Sequence, residues 1–130
     1  MACRIGELVL DCRDPEVLAR FWCEVLDFVE LGREYAEEGE GYAVEIGPRE
    51  GFGGPQATII LRTGEPAEAK SGLHIDLNPT DRDADAELER LLELGARPAD
   101  IGQTGEEPWN VLEDPEGNSF CLLKARIAPV

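Results

Sequence analysis

From Ile5 to Cys12 the chain reads "IGELVLDC". Leu8, Leu10 and Cys12 fall on one side of a period of two, and Glu7, Val9 and Asp11 on the other, which predicts a strand. The period then changes. In "RDPEVLARFWCEVLDF" Asp14 suits an N-cap and Pro15 the first helical position. Val17, Leu18, Phe21, Trp22, Val25 and Leu26 recur at helical spacing and make one apolar stripe. "GYAVEIG" reads as a short strand, "PREGFGGP" as a turn-rich loop and "ATIILR" as another strand. "TGEPAEAKSG" has no periodicity and reads as a linker.

The pattern then begins again. "LHIDL" is a strand, with Leu73, Ile75 and Leu77 on one face. "TDRDADAELERLLELG" is a helix with an acidic first turn, a stripe of Leu88, Leu91 and Leu92, and Gly95 as its stop. "PWNVLED", the turn "PEGN" and "SFCLLKA" make a hairpin. Laid over each other, the halves put Glu7 on His74, Leu8 on Ile75, Leu10 on Leu77 and Asp14 on Asp81 at one constant offset. "YAVEIG" then falls on "WNVLED", and "ATIIL" on "SFCLL". Each half reads β-α-β-β-β, with one strand in each poorly marked, so the chain is an internal repeat.

The repeat explains why polar residues alternate in both opening strands. A strand that carries a helix buries one face beneath it. Leu8/Leu10/Cys12 and Leu73/Ile75/Leu77 are the helix-facing sets, which leaves Glu7, Val9 and Asp11, and His74, Asp76 and Asn78, for the other face. If the sheets curve toward each other, these faces line a shared cup. Thr58, Ile60 and Arg62, and Ser119, Cys121 and Leu123, supply its remaining walls.

Composition removes several functions. The 130 residues suit a single domain, 1–130, with a first module at 5–63 and a second at 72–126. The net charge of −16, spread along the chain, argues against nucleic acid and anionic membrane surfaces. No apolar run reaches the length of a membrane span and the N-terminus has no signal-peptide core, so the expected location is cytoplasmic. Cys3, Cys12, Cys23 and Cys121 show no zinc spacing and read as free thiols.

His74 is the only histidine, and with Glu7 it would form a His–carboxylate pair able to act as general acid and base. Tyr42 and Trp109 occupy equivalent positions in the overlay and suit an aromatic pocket wall. Cys121 would be a nucleophile only with a cation or base beside it.

"ELVLDCRDPEVLARFWCEVLDF", "GLHIDL" and "VLEDPEGNSFCLL" resemble the vicinal oxygen chelate superfamily of glyoxalase I, bleomycin-resistance proteins and extradiol dioxygenases. The likeness runs from about Glu7 to Leu123 and is closest to its glyoxalase-like branch. It implies an α+β fold of two βαβββ modules forming a cupped, partly open mixed β-sheet barrel with flanking helices, in a homodimer. It also implies metal positions in the first and last strand of each module, here Glu7, Ile60, His74 and Cys121. Ile60 cannot ligate, and a thiol is a poor partner for magnesium, manganese or nickel chemistry. The expected cofactor is therefore none, with Glu7, His74 and Cys121 the set if a divalent metal binds.

The reading that results is a glyoxalase-like protein binding a small polar organic ligand. Its expected chemistry is metal-independent lyase or isomerase work. His74 is the acid/base, Glu7 its partner, and Arg62, Asp76, Trp109, Asn110, Tyr42 and Cys121 are the substrate contacts. The alternatives are a non-catalytic protein that sequesters a drug or metabolite, and a metal-dependent lyase or dioxygenase.

Overall fold

A computed structural model describes residues 2–65, 73–99 and 109–130; for Trp109 this covers the backbone alone. The expected linker lies mostly at 66–72, outside the described residues. The chain divides into two compact units, Met1–Pro66 and Ala67–Val130.

The first unit runs β1 (Glu7–Cys12), α1 (Pro15–Leu26), β2 (Val29–Tyr35), β3 (Tyr42–Gly47) and β4 (Thr58–Thr63). Its sheet has the order β1-β4-β3-β2, with β1 parallel to β4 and the other pairs antiparallel. Asp14 caps α1 by accepting from the backbone N–H of Glu16 and Val17, and Pro15 opens the helix without losing a useful donor. Leu18, Phe21 and Trp22 are buried together with Cys12, Val44, Ile46, Ile59 and Leu61, so the core lies between α1 and one face of the sheet. β3 and β4 approach closely at Gly47, where a Cβ would stand 2.7 Å from the Thr58 side chain.

The second unit repeats this with β5 (Ile75–Leu77), α2 (Ala84–Leu94), β6 (Arg97–Pro98), β7 (Trp109–Glu113) and β8 (Ser119–Leu123). The sheet order is β5-β8-β7-β6, again with only the first pair parallel. Asp83 caps α2, and Gly95 ends it at φ 120°. Leu91, Leu112, Phe120 and Leu122 are almost fully buried. Each unit is thus a mixed four-stranded sheet with one helix, the predicted βαβββ order. No described helix is long and apolar enough to cross a membrane.

The register corrects the sequence overlay by one residue in the later strands. Val9 stands opposite Ile60, and Asp76 opposite Cys121. Glu45 pairs with Ile60, as Val111 pairs with Cys121. "TIILR", not "ATIIL", is therefore the counterpart of "SFCLL", and Ala43, not Tyr42, the counterpart of Trp109. The overlay slipped because the loops between the strands differ in length, while apolar runs such as "TIIL" match in either phase.

Candidate functional site

In the first unit, the face turned from α1 carries Glu7, Val9 and Asp11 on β1, Thr58, Ile60 and Arg62 on β4, and Ala43 and Glu45 on β3, all brought together by register. A cavity of about 300 Å³ lies here, lined by Glu7, Gly32, Arg33, Glu34, Ala43, Glu45 and Ile60. Glu45 is the residue that the sequence reading missed. Its carboxyl is pushed above the usual carboxylate range by burial, then by the hydrogen bond and charge of Glu7. The Thr58 hydroxyl, at 3.4 Å, opposes that shift.

Arg33 is among the lining residues, but its guanidinium is committed on the α1 side of the sheet. It donates to both oxygens of Glu30 at 2.9 Å and to both oxygens of Glu16 on α1. Arg62 is paired too, donating from Nε to Asp11 Oδ1 at 2.9 Å. Tyr42 lies on the other side of β3, with Val44. Its ring stacks on Tyr35 at 5.9 Å, and its hydroxyl reaches Glu16. Its helix-side position follows from the corrected register.

In the second unit, His74 and Asp76 flank Ile75, and Asp76 faces Cys121 across the parallel β5–β8 pair. His74 Nε2 lies 3.1 Å from Asp76 Oδ1. One ligand atom from each of His74, Asp76 and Cys121 falls within 4.8 Å of the others. Cys121 packs with Ala99, Val111 and Leu123. Burial, then the Asp76 carboxylate, raises its thiol above the ordinary range, which disfavours a free nucleophile. Asn110 pairs with Leu122 and shares the face of Leu112 and Phe120, opposite to Cys121. The Trp109 side chain lies outside the described residues. Glu7 belongs to the first unit and His74 to the second, and each has a carboxylate neighbour within its own unit.

The donor chemistry decides what metal these residues suit. Ile60 lends only hydrocarbon, so the four-position pattern is not filled. His74, Asp76 and Cys121 instead offer one nitrogen, one oxygen and one sulfur, a set that fits a three-ligand zinc-type ion. The set fits the divalent-metal alternative rather than the expectation of no cofactor. That reading assigned Asp76 to substrate and so overlooked the carboxylate opposite Cys121.

Two βαβββ units with a common strand order define the α+β architecture of the vicinal oxygen chelate superfamily. The sequence profile of the glyoxalase-like domain matches residues 7–123, and the chain belongs to that family. No curated protein matches it significantly. Among solved structures, it resembles the fosfomycin resistance protein FosX of Listeria monocytogenes complexed with Mn(II) and sulfate, at 14% identity and TM-score 0.71. That alignment covers 96% of this chain and 94% of the other. Glyoxalase I of Leishmania major is similar at 15% identity and TM-score 0.66, over 95% of this chain and 87% of that one. A glyoxalase/bleomycin resistance protein from Streptomyces sp. CB03234 matches at 24% identity and TM-score 0.55, over 91% and 97%. At these identities the likeness is one of fold.

Proposed function

We propose that this chain binds a small polar organic molecule and moves a proton on it, with Glu45 holding the proton and Glu7 as its carboxylate partner. The observation that carries this reading is the raised Glu45 carboxyl beside an open cavity of about 300 Å³. Two carboxylates that share a site cannot both ionise freely, and the one that keeps its proton longer works nearer neutral pH. Glu34 adds a third carboxylate to the lining, while Arg33 and Arg62 are already ion-paired. The cavity therefore favours neutral or cationic ligand groups over anionic ones. Arg62, expected as a substrate contact, is paired with Asp11.

His74, with Asp76 beside it, is a second acid/base candidate in the second unit. A homodimer accords with the family, and sedimentation that gives only monomer would remove it.

A thermal-shift screen of neutral, cationic and anionic metabolites, followed by turnover of the hits, tests the proposal. Hits should come from the first two groups and weaken in Glu45→Gln and in Glu7→Gln. Turnover should fall in Glu45→Gln more than binding does. Binding that survives Glu45→Gln and Glu7→Gln unchanged would discard the site, and binding without turnover would make the chain a sequestering protein.

A further inference from the structure

The second unit carries a donor set that the Glu45–Glu7 pair does not use. We infer that His74, Asp76 and Cys121 form a self-contained site for a thiophilic divalent cation, zinc above all, built wholly within that unit. Asp76, rather than Glu7, supplies its carboxylate.

Backbone register produces the set. Asp76 and Cys121 are partners across the β5–β8 pair, and His74 lies two residues from Asp76, on the same face of the strand. The three ligand atoms already lie within 4.8 Å of one another. Bonds of about 2.0–2.3 Å in tetrahedral array place ligand atoms roughly 3.3–3.8 Å apart. Closing that gap asks only for rotation of the two exposed side chains, His74 and Asp76, at 57% and 48% exposure. Cys121 stays anchored by Ala99, Val111 and Leu123. A bound ion would replace its thiol proton.

A second observation points to the same place. The Ser119 hydroxyl is buried and has no hydrogen-bond partner among the described residues. Ser119 stands two residues before Cys121 on β8, so it shares that face. A buried hydroxyl left unpaired is costly, and water on an ion's open position would satisfy it. One sulfur, one imidazole and one carboxylate select zinc over manganese or magnesium, which prefer oxygen.

The test is a cobalt(II) titration of the full chain carrying Cys3→Ser, so that this exposed thiol contributes nothing. Cys23 will not compete, because burial and nearby glutamates push its thiol up to about 11. A near-ultraviolet thiolate-to-cobalt band should appear, and zinc should abolish it where a large excess of manganese does not. Cys121→Ser should remove the band. His74→Gln and Asp76→Asn, both at exposed positions, should each weaken binding by about tenfold or more. Glu7→Gln and Glu45→Gln should leave it unchanged, so this inference and the proton-transfer reading fail separately. No band in the Cys3→Ser protein would overturn the site. So would full affinity in both His74→Gln and Asp76→Asn, displacement by manganese, or a loss in Glu7→Gln.

Discussion

Asp11 and Arg62 stand opposite each other on β1 and β4, and the guanidinium of one donates to the carboxylate of the other at 2.9 Å. The pair neutralises a cation that the alternation pattern had placed on the ligand-facing side of the sheet. Asp11→Asn should therefore give the first unit a measurable affinity for sulfate or a phosphonate that the parent protein lacks. Both side chains are about half exposed, so stability should change by less than about 1 kcal/mol. Anion titration and urea unfolding of the variant check the two halves of this expectation.

Glu45 makes stability depend on pH in the direction opposite to most carboxylates. Its folded pKa is raised by burial and by Glu7, so the folded chain binds its proton more tightly than the unfolded chain does. The stabilisation is complete below the unfolded value, near 4.5, and is lost as pH rises through the raised folded value. Glu45→Gln should remove this loss and be more stable than the parent above that window. Urea midpoints across pH 4–8 would show it, and parallel curves for the two proteins would contradict it.

Arg33 gives the reverse sign. It hydrogen-bonds Glu16 and Glu30 and lowers both carboxyls below their ordinary range. That contribution is present above the unfolded value of about 4.5 and fades as pH falls through the depressed folded values. Arg33→Met should flatten the acid limb of the stability curve. It should also loosen α1 from β2, which hydrogen exchange at β2 would detect. Both carboxylates are more than 40% exposed, so salt should weaken the effect.

The hairpin of the second unit depends on a buried charge. Asp114 is fully buried and accepts from the backbone N–H of Glu116 and Asn118 and from the Asn118 amide, all between 2.9 and 3.1 Å. Gly117 completes the turn at φ 88°. Asp114→Ala strands those donors and should cost about 2–4 kcal/mol. Asn118→Ala should cost less, because two backbone donors to Asp114 remain. Thermal unfolding of the two variants orders them.

The sequence made the buried half of the first sheet legible, whereas in the second Leu73, expected on the helix side with Ile75 and Leu77, is exposed and precedes β5. Leu8, Leu10 and Cys12 lie on the helix side as their period of two requires, and Asp14-Pro15 marks the start of α1. β2 escaped notice because Glu30, Arg33 and Glu34 make it polar, and a register shift between Glu30 and Gly32 breaks its alternation. β6 is two residues long and leaves no period to read. The site was legible only where one strand's alternation sufficed, as for His74 and Asp76. Glu45 depended on cross-strand register. The shifted alignment laid it over the apolar Leu112, whereas β3 and β4 place it opposite Ile60. The proximity of Asp76 to Cys121 needed the same kind of information, which a repeat read from apolar runs does not carry.

The identical strand order of the two units has an evolutionary corollary. A duplicated scaffold keeps two versions of every outward position, so one version can drift while its sibling holds. Ile60 and Cys121 are such siblings, one now inert and the other rich in coordination chemistry. Descent from one ancestral module would thus have left a chain with two dissimilar toolkits on matching frames.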